Sequence, residues 1–212
     1  MPSFWVHVNQ VLREAEILIE VLDARMIQAS RNEEIEDKIR HLGKKLFFVI
    51  NKCDLVDIET LKVEKKGLSP CVFISSKDRL GTTILKKKIL EISHGKPVVV
   101  GVLGYPNVGK SSLINALAGR TAAKTSSESG YTKGFQKIRV DSRIVLLDTP
   151  GVFPYKQKDE FMLGKLGSID YAKIKDPEGI ALQFIEEYKP LVRKKYALSG
   201  EDAEEILDQI AF

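Results

Sequence analysis

Residues 104–112 read GYPNVGKSS, and this stretch constrains the chain more than any other. It fits GxxxxGK[ST], with Gly104, Gly109, Lys110 and Ser111 at the fixed positions. Its flanks are those the pattern requires. Residues 97–103, PVVVGVL, are a short apolar run rich in β-branched side chains and read as a buried strand. Residues 113–117, LINAL, read as the start of a helix. A strand, a tight turn and a helix N-terminus make an anion site, because backbone N–H groups converge there and the helix dipole adds partial positive charge. The expectation is a phosphate loop lined by Gly104, Pro106, Asn107, Val108, Gly109 and Ser112. Lys110 should reach the β and γ phosphates, and the Ser111 hydroxyl should bind Mg²⁺.

Around this unit, strand and helix signals alternate. Residues 4–16 carry apolar side chains at Phe4, Val8, Val11, Leu12 and Ala15, which predicts an amphipathic helix. Residues 17–22 read as a strand. Ser30 is the expected cap of a helix over 32–42, with Glu33 as its capping-box partner and Gly43 at its end. Strands follow at 46–50 and 71–74, and helices at 58–66 and 82–92. Residues 119–134 are polar and long for a loop in a compact domain, which suits a functional segment. Two further strands, 135–140 and 144–147, are joined by a tight turn. This alternation predicts a three-layer α/β fold: a mostly parallel six-stranded sheet with helices on both faces. Beyond it come only helix signals, at 160–169, 178–188 and 201–210. The expected division is a nucleotide-binding domain over 1–153 and a small helical region over 154–212.

Short polar strings fall at the predicted strand ends, where open α/β sheets bind ligands. NKCD, residues 51–54, is an NKxD string. The Asp54 carboxylate can accept from guanine N1–H and from its 2-amino group, a donor pair that adenine lacks. Such a hydrogen-bond demand can discriminate by about 10⁴-fold. Asn51 can bond the purine N7 edge and hold the loop, and the Lys52 stem can lie over the base. Ser75, Ser76 and Lys77 form SSK, which would offer a backbone N–H to the guanine carbonyl. DTPG at 148–151 fits DxxG: Asp148 would touch Mg²⁺ through water and the Gly151 N–H would sense the γ phosphate. Thr132 is the candidate switch threonine on Mg²⁺, with Thr121 and Thr125 as rivals.

Composition excludes several classes. The 212 residues suffice for a full core, and 43% hydrophobic with 29% charged residues is ordinary for a globular protein. A net charge of +4 permits nucleic-acid contact without requiring it. Cys53 and Cys71 have neither zinc-site nor disulfide-framework spacing, so a reducing, cytoplasmic setting is expected. No stretch resembles a signal peptide or membrane span. A monomer is expected.

These strings make up the GTPase motif set in an unusual order. Ordinary small GTPases place the phosphate loop first, then the switches, then NKxD and SxK. Here NKCD and SSK precede the phosphate loop. In this the chain resembles the circularly permuted GTPases of the YlqF/RbgA ribosome-assembly family. The resemblance extends to VLDAR (21–25), SRN (30–32), LLDTPGV (146–152) and FIEEYKPLVRKKYAL (184–198). Bacterial members carry PGHM near the N-terminus, where this chain has FWVHV, nearer the archaeal and eukaryotic branch. His7 then reads as a solvated or partly packed side chain. The resemblance implies GTP/GDP and Mg²⁺ binding, slow GTP hydrolysis helped by K⁺ at Asn107 and by the ribosome, and contact with large-subunit rRNA. Lys110, Thr132 and Gly151 would be the catalytic residues.

Permutation joins the DxxG switch directly to the helical region. Loss of the γ phosphate could therefore move that region, whose Lys189, Arg193, Lys194 and Lys195 could meet rRNA phosphates. A solvated helix face is the alternative, and the same holds for Lys86–Lys88. Val152 stands where ordinary GTPases carry a water-orienting Gln. Two functions remain open: a ribosome-associated GTPase switch, and a non-catalytic GTP-sensing scaffold for a protein partner.

Overall fold

The computed structural model describes residues 3–119, 123, 136–152, 160–167 and 174–211. The chain divides into two compact units, Met1–Gln157 and Lys158–Phe212.

In the first unit six strands form one sheet: β1 (Ile17–Asp23), β2 (Lys45–Asn51), β3 (Cys71–Ile74), β4 (Val98–Leu103), β5 (Gln136–Arg139) and β6 (Ile144–Asp148). Their spatial order is β3-β2-β1-β4-β6-β5, and β5–β6 is the antiparallel pair. All seven residues of β1 are buried, because it lies between β2 and β4 with cover on both faces. Edge strand β5 buries only Ile138.

Among the described residues five helices cover the sheet: α1 (Ser3–Glu14), α2 (Glu33–His41), α3 (Ile58–Glu64), α4 (Thr82–Ile92) and α5 (Lys110–Ala118). On one face, Trp5, Val8 and Val11 of α1 and Ile35 and Ile39 of α2 pack with Leu18 and Leu103. Further along, Leu61 of α3 packs with Leu22, Phe48 and Ile50. Side chains alternate along a strand, so the equally buried Ile17, Ile19 and Val21 need cover from the opposite face. Helices α4 and α5 supply it through buried Leu85, Ile89, Leu113 and Leu117.

The cap of α2 differs from expectation. Asn32, not Ser30, accepts from the Ile35 N–H at 3.1 Å. The Ser30 hydroxyl instead accepts from the Asp23 N–H at 3.0 Å and donates toward Met26 and Ile27. It sits in a short 3-10 turn, so it serves that turn rather than the helix.

The topology positions the site. From β1 the chain steps outward to β2 and β3, then returns through α4 to lay β4 on the other side of β1. Successive strands therefore leave β1 and β4 in opposite directions. The carboxyl ends at such a switch point open a crevice. Register brings these ends level: Asp23 pairs with Asn51, Asn51 with Ile74, and Val102 with Asp148.

In the second unit lie α6 (Glu160–Lys165), α7 (Pro177–Tyr196) and α8 (Ala203–Ala211). The sequence predicts that the middle helix ends at Tyr188, but α7 runs on to Tyr196. Pro190 lacks an N–H and crowds the turn before it, so the helix kinks at Tyr188 (φ −115°, ψ 20°) and then resumes. Ile185, Val192 and Ile206 form the small core here. No helix among the described residues is long and apolar enough to cross a membrane.

Candidate functional site

The phosphate loop leaves β4 at Leu103. Gly104 has φ 137°, and a Cβ there would lie 2.5 Å from the Val21 carbonyl oxygen, so no side chain fits. Asn107 is left-handed at φ 61°, and α5 begins at Lys110. The Lys110 side chain is buried and folds back across the loop. Its Nζ donates to the Gly104 carbonyl at 3.1 Å and the Tyr105 carbonyl at 2.6 Å. Burial lowers its pKa to about 8, opposed by the charge of Asp148. Two carbonyls are weak partners for a buried ammonium, and an anionic phosphate is a better one.

Asn51, the last residue of β2, links three segments. Its Nδ2 donates to the Val108 carbonyl of the phosphate loop at 2.9 Å. Its Oδ1 accepts from the Ser76 N–H at 3.1 Å and the Ser76 hydroxyl at 2.8 Å. NKCD, SSK and the phosphate loop thus meet through one amide, as expected of a residue that holds the loop. They surround a pocket of about 700 Å³ whose lining includes Asn51, Lys52, Asp54, Ser76, Lys77, Gly109 and Ser112. Asp54 is exposed at this pocket and accepts no hydrogen bond among the described residues.

SSK differs in detail from expectation. Within SSK the Ser75 N–H is taken by the Leu80 carbonyl and the Ser76 N–H by Asn51, which leaves the Lys77 N–H for the guanine carbonyl. Ser75 shapes the turn: its backbone pairs with Leu80 and its hydroxyl donates to Asp78 at 2.9 Å.

On the other side of the phosphate loop, β6 ends in DTPG. Asp148 is buried, and its Oδ2 accepts from the Ser111 hydroxyl at 3.3 Å. Burial pushes its carboxyl up from the ordinary value, against the pull of Lys110 and Ser111. Its Oδ1 is buried with no partner among the described residues. An orphaned carboxylate oxygen beside a serine hydroxyl suits Mg²⁺. No cluster of three His, Cys, Asp or Glu residues able to hold a metal occurs among the described residues, so phosphate and water oxygens would supply ligands beside those of Ser111 and Asp148. A Cβ on Gly151 would lie 2.5 Å from Pro106 N and Cα, so this glycine lies directly against the phosphate loop. Val152 is buried in the α1–α2 core cluster. Thr132, Thr121 and Thr125 lie outside the described residues.

Two site residues carried no role in the sequence reading. The Lys52 Nζ donates to Asp23 Oδ2 and to the Asn107 carbonyl, both at 2.7 Å, while the residue also lines the pocket. Asp23 therefore belongs to the site. Its signal was an acidic residue at the end of a largely apolar strand, inside VLDAR. Asn115 of α5 also lines the pocket and holds Ala123 by two bonds of 2.7 Å.

Residues 99–205 match the family described as 50S ribosome-binding GTPase. The uncharacterized GTP-binding protein MJ1464 of Methanocaldococcus jannaschii is 40% identical over 210 residues, covering 96% of this chain and 55% of that protein. Ribosome biogenesis GTPase A of Bacillus licheniformis is 34% identical over 227 residues, covering 96% of this chain and 77% of that protein. The GDP-bound structure of TM YlqF superposes with a TM-score of 0.62 at 25% identity, covering 94% of this chain and 88% of that chain. The chain spans about half the length of the Methanocaldococcus relative. Motif order, sheet order and these matches agree, and the chain belongs to the 50S ribosome-binding GTPase family, as a circularly permuted member of the YlqF/RbgA type.

Proposed function

We propose that this chain binds GTP and hydrolyses it as a molecular switch in large ribosomal subunit assembly. The observation that carries this reading is the Asn51 amide, which joins NKCD and SSK to the phosphate loop around one pocket. Asp54 reads guanine by accepting from N1–H and the 2-amino group, and the Lys77 N–H donates to the guanine carbonyl. The second hydrogen of the Asn51 amide is left for the purine N7 edge. Lys110 turns from the loop carbonyls to the β and γ phosphates. Ser111 and Asp148 hold Mg²⁺, with Thr132 as the switch ligand. Bound Mg²⁺ neutralises phosphate charge as it develops. Gly151, packed on Pro106, senses the γ phosphate through its N–H.

Val152 contributes no polar group for orienting water, being buried among apolar side chains. Intrinsic turnover is therefore slow, and Asn107 would hold a K⁺ ion whose charge would add to that of Mg²⁺ beside the phosphates. The large ribosomal subunit completes the catalytic arrangement, and the protein works as a monomer where such subunits are assembled. On α7, Lys194 and Lys195 are exposed and unpaired with any acid among the described residues, whereas Lys189 pairs with Glu186 at 3.0 Å. These two and Arg193, which is also exposed and whose guanidinium bonds only the Ser199 carbonyl among the described residues, are better placed than Lys189 to meet rRNA phosphates. The names of the relatives support the ribosomal assignment.

The same burial of Val152 favours a second reading, a GTP-sensing scaffold without catalysis. GTP turnover measured in KCl and NaCl, with and without large ribosomal subunits, separates the two. The switch reading expects stimulation by K⁺ and by subunits. Nucleotide binding with no turnover under any condition selects the scaffold.

A further inference from the structure

We propose that Asp23 is a positioning residue for nucleotide binding, acting through Lys52 to hold the phosphate loop at a fixed separation from the base-reading segment. The inference rests on the nucleotide reading above. Asp23 ends β1 and is 1% exposed. Both its oxygens are filled. Oδ2 accepts from Lys52 Nζ and Arg25 Nη2, each at 2.7 Å. Oδ1 accepts from Arg25 Nε at 2.9 Å and from the Arg25 N–H at 3.0 Å. Burial alone would push this carboxyl up, but the bonds from Arg25 and Lys52 outweigh it and hold it below its ordinary value. Asp23 is therefore a fixed negative charge at the mouth of the β1–β4 crevice.

Lys52 carries that charge across the site. Its ammonium spans from Asp23 to the Asn107 carbonyl of the phosphate loop. Lys52 itself and Asn107 at its far end are left-handed non-glycine residues, at φ 63° and φ 61°. Such conformations are costly and persist where surrounding contacts enforce them. Lys52 is only partly buried, but a charge-assisted bond to a carboxylate is stronger than one to a carbonyl, so the carbonyl alone would hold its ammonium less firmly. The three joined segments are the end of β1, the base-reading NKCD and the phosphate loop. Asp23 is the member that lies in neither motif.

The test is GDP affinity and GTP turnover on the full chain, in a double-mutant cycle with Lys52. Asp23→Asn keeps the shape and removes the charge. It should weaken GDP on the order of 10- to 100-fold and raise KM for GTP with kcat unchanged, because only the bound geometry is lost. In the Lys52→Met background the same substitution should change affinity by less than about twofold, since its route is gone. Arg25→Met removes the other partner of the same carboxylate. It should lower the melting temperature while leaving GDP affinity within about twofold, and it keeps the question decidable if Asp23→Asn does not fold. The inference is overturned if folded Asp23→Asn binds GDP like wild type. Equal losses in both backgrounds, or a loss in Arg25→Met as large as in Asp23→Asn, overturn it too. A wild type that binds no guanine nucleotide sinks the functional reading itself and is recognised before any variant is measured.

Discussion

The two halves of the site are built differently. The phosphate loop itself is local: Gly104, Asn107 and the start of α5 lie within a few residues, and Lys110 bonds carbonyls five and six residues away, with only DTPG brought in from a distance. The base half is assembled over distance. Asn51 reaches Val108 across 57 residues of sequence, Lys52 reaches Asn107 across 55, and Asp23 reaches Lys52 across 29. A local turn forms from its own backbone preferences, whereas distant tethers exist only when the sheet register is correct. The phosphate half should therefore tolerate damage elsewhere, and the base half should report it.

The largest expected effect is at Lys110. Lys110→Ala removes a buried partner of the phosphates and should cost about 3–5 kcal/mol of GDP and GTP affinity, more than a hundredfold. Without ligand it also removes a poorly paired buried ammonium, so the apo protein should be no less stable. Titration calorimetry and thermal melts check the two halves of this claim. Near-normal affinity in the variant removes the phosphate half from the account.

Asn51→Ala should be next. It removes the partner of the Ser76 N–H and of the Val108 carbonyl and should weaken nucleotide binding by about 1–3 kcal/mol in all. Guanine and xanthine nucleotides should weaken together, because the tether fails rather than the base reader. An effect confined to one base would break the comparison.

Gly151→Ala should be smaller. Its new Cβ meets Pro106, so the DTPG segment must move, at about 1–3 kcal/mol. The loss should fall on a non-hydrolysable GTP analogue and spare GDP. Equal losses for both would show that this glycine only packs.

The smallest effect is in protons. Lys110 has a folded pKa of about 8, below its unfolded value of about 10.4. Between these limits the unfolded chain binds more protons, so stability rises with pH there. Below pH 8 the cost of the buried ammonium is fully present. Phosphate raises this pKa, so GDP binding near pH 8 should take up on the order of half a proton. Binding heats in buffers of different ionisation enthalpy measure it, and proton release would contradict the burial of Lys110.

The contrast also explains what was legible in the sequence. The phosphate loop, NKCD and DTPG were read from short strings because each is a run of adjacent residues at a strand end. The mostly parallel six-stranded sheet followed from the alternation of strand and helix signals. The roles of Asp23 and Asn115 depend on partners far along the chain or on side-chain direction, and no local pattern encodes either. The Ser30 expectation failed because the chain turns once more before α2, making Asn32 the cap. The break expected at Tyr188 became a kink because Pro190 removes one helical hydrogen bond without ending the helix.

The proposed function requires that NKCD, ahead of the phosphate loop in sequence, read guanine beside it in space. Nucleotide preference of Asp54→Asn tests this most directly. An Asn side chain offers guanine a donor against its 2-amino donor, but xanthine carries a 2-oxo acceptor there. Preference should move from GTP to xanthosine triphosphate by about 2–4 kcal/mol. A variant that keeps its GTP preference would contradict the account, leaving NKCD as a turn and guanine read elsewhere.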